Sequence, residues 1–166
     1  STVATVTEIY DYLRLLYARI GIPHCPTCGK TVTRQTPTAI VDQIAKEFSG
    51  ARIMVLGPIV IDKKGAFEHI PEQFARAGFA RARVDGVVYA LDEFPELDKA
   101  KKHRIEIVID RLVANEESAG RMSQSIEQAL ELADGRLIVQ NADTNIEQSF
   151  SLLYACIDHP DVSIPE

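Results

Sequence analysis

Two short segments that could each supply two metal ligands stand 127 residues apart in this chain of 166 residues. The first is residues 25–29, CPTCG, and the second is residues 156–159, CIDH. A two-residue gap lets both side chains of a pair turn onto one cation, and Gly29 relieves the backbone just after the second sulfur. A single ion held by both pairs would join the two ends of the intervening chain. This feature therefore predicts a metal-bound base, formed by the two ends of the chain, from which an inserted domain projects.

The four candidate ligands are Cys25, Cys28, Cys156 and His159, a Cys3His set of the kind that zinc accepts in structural sites. Because such a shell leaves no open position for water, we expect the zinc to stabilise structure rather than to catalyse. Three alternatives remain open. Cys25 and Cys28 could form a redox pair, although the predicted helix precedes them instead of following them. Cys156 could be a buried thiol, and His24 could replace His159 as the fourth ligand.

The charge balance limits the classes of partner. Lys and Arg number 18 against 24 for Asp and Glu, a net charge of −6, so bulk charge does not favour nonspecific attraction to nucleic acid. No apolar run approaches the roughly 18 residues that a membrane span needs, and the N-terminus lacks the basic and apolar regions of a signal peptide. Three cysteines are too few for a disulfide framework. We therefore expect a cytoplasmic setting, and we interpret the chain, which begins without Met, as a fragment.

Hydrophobic spacing predicts alternating helices and strands in the first half of the chain. Thr5 and Glu8 stand in capping-box spacing at the start of a helix over residues 5–20. A second helix is predicted from Thr36 to about Gly50, followed by a buried strand over residues 51–60. A third helix is predicted over residues 63–78, with Pro71 weakening its middle.

The second half opens with the clearest local pattern, a hairpin over residues 79–90 with a primed turn at Asp85-Gly86. Residues 105–114 alternate as a strand with one wetter face, and we expect this strand to lie beside the hairpin. A helix and two strands follow, at residues 118–135, 136–140 and 149–156. The predicted fold class is mixed α+β.

The dense basic clusters lie in the hairpin, in the charged connector after it and at the end of the next strand. Arg81 and Arg83 alternate along one strand and share a face, where forked donors suit carboxylate or phosphate groups. The other cations are Lys99, Lys101, Lys102, Arg104 and Arg111. An ordinary solvated strand face is the open alternative, and an acidic protein surface fits these cations as well as nucleic acid does.

No arrangement in the sequence predicts catalysis. His69 and His103 are interpreted as surface or boundary side chains, and the carboxylates of residues 92–98 are interpreted as part of a solvated loop. The patterns G-x-x-x-x-G-K-[ST], G-x-S-x-G and H-E-x-x-H do not occur, so phosphate-loop, serine-hydrolase and zinc-protease chemistry is not indicated.

Several stretches together resemble the UvrA family, the damage-recognition ATPases of the bacterial excinuclease. They are STVATVTEIYDYLRLLYARIGIPHCPTCG, RARVDG, KKHRIEIVIDRL, SIEQALELADG and the final SIPE, and they span nearly the whole chain. The resemblance implies an interior segment of the first ATP-binding half. Residues 1–35 and 149–166 would belong to the signature framework with its zinc module, and residues 36–148 would form an inserted α/β domain that binds UvrB.

The resemblance also implies partners and a division of roles. The family binds damaged DNA as a homodimer and hydrolyses ATP with Mg²⁺, but its ATP-binding motifs lie outside these residues, so no ATP-site residue is assigned here. The matching positions Arg81, Arg83 and Arg111, with Lys101 and Lys102, are the predicted contacts to UvrB. Direct binding of damaged DNA by this segment is the alternative, and a standalone enzyme is a third hypothesis without a supporting motif.

Overall fold

A computed structural model of the chain describes residues 24–29 and 35–152. Residues 24–29 belong to one compact unit, and residues 35–152 lie in a second one. The helix expected over residues 5–20 and the candidate ligands Cys156 and His159 lie outside the described residues. Within the described ranges, no helix is long and apolar enough to cross a membrane.

Residues 35–152 contain three α-helices, a short 3-10 turn and one sheet of six antiparallel strands, which confirms the α+β prediction. The sheet order is β3-β2-β4-β1-β5-β6. In chain order the elements are α1 (Pro37–Glu47), β1 (Arg52–Lys64), α2 (Ile70–Arg76), β2 (Arg81–Val84), β3 (Val87–Ala90), the 3-10 turn (Leu91–Glu93), β4 (Lys102–Val113), α3 (Ala119–Leu132), β5 (Arg136–Asn141) and β6 (Glu147–Ser151).

The N-terminus of α1 follows the predicted capping chemistry. The Thr36 hydroxyl accepts a hydrogen bond from the Ala39 N–H at 3.2 Å, and Pro37 occupies the first turn, where its missing N–H leaves no intrahelical bond unmade. Ile40 and Ile44, one turn apart, are buried against the sheet. The helix prediction for this segment is confirmed.

The prediction for residues 63–78 is wrong in its extent. Strand β1 continues to Lys64, and α2 spans only Ile70–Arg76. Pro71 lies in the first turn of this short helix rather than in its middle, which is where a proline is tolerated. Phe67, just before this helix, has a positive φ of 52°, a left-handed backbone conformation that does not continue a helix.

The hairpin prediction is confirmed in its register and in its turn. Val84 pairs with Val87, so Asp85 and Gly86 form a two-residue connection, and their φ values of 48° and 88° are those of a primed turn. Strand β2 then pairs with β4, as expected, with Ala82 opposite Ile107.

The helices cover one face of the sheet in two hydrophobic clusters. Helices α1 and α3 pack on β1 and β5, where Ile40, Ile126 and Val139 are fully buried. Helix α2 and the connector pack over the hairpin side, where Ile70, Leu91 and Ile107 belong to the second cluster. The opposite face carries a smaller cluster of Met54, Leu56, Val108 and Ile138.

A contact between distant strands shows that the sheet curls around this smaller cluster. Arg83 on β2 bonds Glu147 on β6 at 2.6 Å, although four strand spacings separate them in the sheet. In a flat sheet those spacings would hold the two backbones about 19 Å apart. The curl buries Glu106 and Val108, so the expectation that this side of β4 is the wetter face is wrong. We call this side of the sheet the concave face.

Candidate functional site

A β-bulge in β4 shifts which side of the sheet the residues after it face. Val55 pairs with Asp110 and Leu56 with Val108, so Ile109 is the extra residue. Asp110 faces α3 and accepts hydrogen bonds from Arg121 Nε at 2.9 Å and from the Ser125 hydroxyl at 2.7 Å. Arg111, by contrast, pairs with Met54 and lies on the concave face.

The hydrogen bonds to Asp110 explain its charge state. Burial alone would raise the pKa of this carboxyl group, but the bonds from Arg121, Ser125 and the Arg111 N–H outweigh burial and lower the pKa. Asp110 is therefore an ionised structural anchor between β4 and α3. Arg111 remains available on the other side.

The concave face opens into a groove of about 650 Å³ beside Arg111. Its walls combine apolar side chains with polar groups that can orient a bound segment; they include Met54, Val88, Val113, Gln140 and Asn145. Val88 is 36% exposed and Val113 is 39% exposed, so apolar surface remains in contact with solvent at this groove.

Arg81 lies at the same end of the concave face. It alternates with the buried Ala82 and therefore shares a face with Arg83. Because Ala82 pairs with Ile107 in the antiparallel β2–β4 register, Arg81 lies beside Val108, three positions before Arg111 along β4. Both Arg81 and Arg111 are exposed, and neither forms an ion pair with any residue in 24–29 or 35–152. We call the groove lined by Arg111, together with Arg81 on the same face, the arginine groove.

Arg83 does not lie on the surface, so the expectation of an exposed arginine pair on the hairpin fails at this residue. Its side chain is 8% exposed and bonds Glu106 at 2.8 Å and Glu147 at 2.6 Å. Burial would lower the pKa of this guanidinium, but the two carboxylates outweigh burial and raise it. Arg83 therefore links β2 to β4 and β6 through ion pairs, and its charge is not available for binding a partner.

Lys101 and Lys102 form a separate basic patch. Both are exposed at the start of β4, and Lys102 pairs with Lys64 of β1. Nine residues of strand separate Lys102 from Arg111, a distance of about 30 Å for an extended backbone. The predicted contact residues therefore fall in two places, of which only the arginine groove is concave and partly apolar.

His103 is buried, contrary to its interpretation as a surface or boundary side chain. Its Nδ1 lies 2.7 Å from Asp85 Oδ2, and its Nε2 lies 2.7 Å from the Asp98 carbonyl oxygen. The pKa of His103 is raised, first by the hydrogen bond to Asp85 and then by that to the Asp98 backbone. The alternation of His103 with Lys102 and Arg104 along the strand could have indicated an inward position, but its partners are distant in sequence.

The first cysteine pair sits in a tight turn. The Gly29 N–H donates to the Cys25 carbonyl oxygen at 2.8 Å, and Gly29 has a φ of +72° that favours glycine. Cys25 is buried, whereas Cys28 and His24 are exposed. Among the described residues no group of three or more His, Cys, Asp or Glu side chains could hold a metal ion. The turn is compatible with two thiolates facing one cation, and the proposed second pair lies outside the described residues.

Comparison with known families identifies similar proteins over nearly the whole chain. A family model described as the UvrA interaction domain matches residues 35–143. The UvrABC system protein A of Mycobacterium tuberculosis is 48% identical over 161 residues, which cover 94% of this chain and 17% of that protein. The protein of the same name from Aquifex aeolicus is 44% identical over 166 residues, covering 100% of this chain and 18% of its own length.

A third similar protein comes from another organism. The UvrABC system protein A of Methanothermobacter thermautotrophicus is 45% identical over 159 residues, which cover 94% of this chain and 16% of that protein. The chain therefore spans less than a fifth of the length of these relatives.

Proposed function

This chain belongs to the UvrA family, and we propose that residues 35–152 form a protein-docking domain that recruits UvrB in nucleotide excision repair. The observation that carries the proposal is the arginine groove, where the exposed Arg111 lines partly apolar walls and the exposed Arg81 lies on the same face. Neither arginine has an ion-pair partner among the described residues. The match of residues 35–143 to the UvrA interaction domain supports a docking role for the same segment.

The chemistry of the groove favours an acidic protein segment. Arginine presents a planar fork of donors that can bind a carboxylate in a bidentate manner, and arginine is enriched at the energetic centres of protein interfaces. Val88 and Val113 add apolar surface that would be buried when a partner binds. A partner that offers carboxylates around an apolar side chain would match both features.

The experiment is a calorimetric titration of the 166-residue chain with purified UvrB. We expect Arg111→Glu and Arg81→Glu each to weaken binding by at least about 30-fold, since disrupting a desolvated charge pair at an interface costs about 2 to 5 kcal/mol. The matched control is Arg76→Glu on α2, an exposed arginine that pairs only with Glu72 one turn away. Unchanged isotherms for both groove variants would refute this surface as the docking site.

Direct binding of damaged DNA by this segment is the second candidate, because the same cations and the Lys101–Lys102 patch could contact phosphates. The net charge of −6 opposes it. Duplex binding by the chain that weakens steeply with added salt and is lost in Arg111→Glu would favour this candidate. If DNA binding were absent or insensitive to salt, direct DNA binding would be rejected and protein docking would remain as the proposed function.

We further propose a structural zinc site formed by Cys25, Cys28, Cys156 and His159. The tight turn at Gly29 supports it, since this turn is compatible with a two-thiolate half-site. The test is the zinc content of purified chains. Cys28→Ser and His159→Ala should each lose zinc, whereas His24→Ala should retain it. Retention by His159→Ala together with loss by His24→Ala would assign the fourth ligand to His24.

For the whole protein, we propose the activity that the family resemblance implies. It would bind damaged DNA as a homodimer in the cytoplasm and hydrolyse ATP with Mg²⁺ through residues outside this chain. The role of the present segment would be to bring UvrB to that assembly.

A further inference from the structure

His103 bridges two separate segments at the start of β4. Its ring lies between the hairpin turn, through Asp85 Oδ2, and the connector, through the Asp98 carbonyl oxygen, with 2.7 Å to each. The ring is buried, with a side-chain exposure of 7%, while the Asp85 side chain is 46% exposed. One buried titratable group therefore contacts two elements at the surface.

The chemistry of the two partners dictates the protonation state of the ring. A carbonyl oxygen only accepts hydrogen bonds, and an ionised carboxylate also only accepts. Both ring nitrogens must therefore carry a proton for both contacts to be hydrogen bonds, and an imidazole with two N–H groups is the cation. Neutral His103 could satisfy only one of the two acceptors.

Each partner is itself held by backbone hydrogen bonds. Asp85 Oδ1 accepts from the Arg104 N–H at 2.8 Å, and the Asp85 N–H donates to the Arg104 carbonyl at 2.9 Å. The Asp98 carbonyl also accepts from the Lys101 N–H at 3.1 Å, and Asp98 Oδ1 accepts from the Ala100 N–H at 2.9 Å. The turn over residues 98–101 leads directly into the Lys101–Lys102 patch.

The charges near His103 come from every element around it. Asp85 from the hairpin turn is the carboxylate that its ring contacts, and Asp98 from the connector contributes its carbonyl dipole. Lys63 of β1 is the register partner of His103. Lys102 and Arg104 flank it on β4 and alternate to the other side of the strand.

We propose that His103 is a pH-responsive latch that holds the turn over residues 98–101, which carries Lys101 of the basic patch, against the hairpin. Loss of a proton removes the Nε2–H rather than the Nδ1–H, because Nδ1 faces a full negative charge whereas Nε2 faces a neutral carbonyl. The bond to Asp98 then breaks and the turn is released, while the hairpin end remains bonded. The inference does not depend on which partner the patch binds.

The direction of the pH effect follows from the shift of the histidine. The pKa of His103 is raised in the folded chain, so the proton stabilises the latched state fully below the ordinary histidine pKa of about 6.5. This stabilisation is lost as pH rises from there through the raised folded pKa. Asp85 sets the acid limit, since hydrogen bonds from Arg104 and His103 outweigh its burial and lower its pKa.

The test is NMR of the 166-residue chain across this pH range. Long-range proton–nitrogen spectra should show His103 protonated on both nitrogens at pH 6.5 and losing a proton only as the pH rises above the ordinary histidine pKa. Hydrogen-exchange protection of the Lys101 amide should fall as His103 deprotonates, by about tenfold for each unit by which its pKa exceeds that of the released state. The Arg104 amide, bonded to Asp85, should keep its protection.

Two variants separate the latch from a simple loss of folding. Asp85→Asn retains a residue that suits the primed turn, and it should lower the pKa of His103 and move the fall in Lys101 protection to lower pH. His103→Gln should make Lys101 protection independent of pH. A neutral single-tautomer His103 at pH 6.5 would overturn the proposal, as would Lys101 protection that stays constant through the His103 titration.

Discussion

Arg83 and Arg111 lie on the same concave face of one sheet, yet their surroundings differ. Arg83 is enclosed by Glu106 and Glu147, so its charge is used within the fold. Arg111 has no ion-pair partner among the described residues and stands beside a groove with apolar walls. The difference teaches that basic residues on one strand face cannot be assigned to binding together, because the fold uses some of them for its own closure.

The curl of the sheet produces the difference. It brings β6 over β2 at the level of Arg83, where Glu147 completes a three-member cluster. At the level of Arg111 the same curl leaves open space, and the groove results. One physical feature therefore creates a buried clamp and, farther along the same face, an accessible site.

The largest expected effect is on folding stability. Arg83→Met should lower the free energy of unfolding by about 3 to 5 kcal/mol, because it leaves the buried carboxylate of Glu106 without a counter-charge. Arg81→Met should change it by less than about 0.5 kcal/mol, since Arg81 is exposed and unpaired among the described residues. Urea denaturation of both variants measures the contrast.

A double variant sharpens this prediction. Arg83 Nε and Glu106 Oε2 are buried without a hydrogen-bond partner in the described part of the chain, so the ion pair is incompletely satisfied. Arg83→Met combined with Glu106→Leu should therefore recover most of the loss. Equal stability of Arg83→Met and Arg81→Met would contradict the assignment of Arg83 as a clamp.

The next effect concerns binding without a change in stability. Arg111→Glu should weaken UvrB binding by at least about 30-fold while the urea midpoint stays within the range of the Arg76→Glu control. The reason is that Arg111 lies at the groove, whereas Arg76 contacts only Glu72. If Arg111→Glu lowered stability as well as binding, Arg111 would have a structural role like that of Arg83 and would not be a docking residue.

Local elements were predictable where the chemistry is local. The Asp85-Gly86 turn and the cap at Thr36 depend on residues within four positions, and both were predicted correctly. Helix α2 was misplaced because Pro71 fits the start of a helix as well as it disrupts the middle of one.

The candidate site was less predictable because it depends on the curl of the sheet. The alternation of Arg81 and Arg83 correctly indicates a shared face, but only the approach of Glu147, 64 residues away, distinguishes the buried arginine from the exposed one. The inward position of His103 likewise depends on Asp85, 18 residues away. Periodicity reports which side of a strand a residue occupies and not what covers that side.

The smallest expected effect tests the anchor at Asp110, which lies on the opposite side of β4 from Arg111. Asp110→Ala should lower the free energy of unfolding by about 1.5 kcal/mol, the low end for hydrogen bonds to a charged group because Arg121 is exposed, while UvrB binding is retained. Because the pKa of Asp110 is lowered in the folded state, its stabilisation is present above the ordinary value of 3.8 and is lost as pH falls through the folded pKa. The difference between the native chain and Asp110→Ala should therefore shrink toward low pH in urea titrations. A variant that lost UvrB binding at neutral pH would mean that the orientation of Arg111 depends on the anchor at Asp110, and the two sides of β4 would then act as one unit.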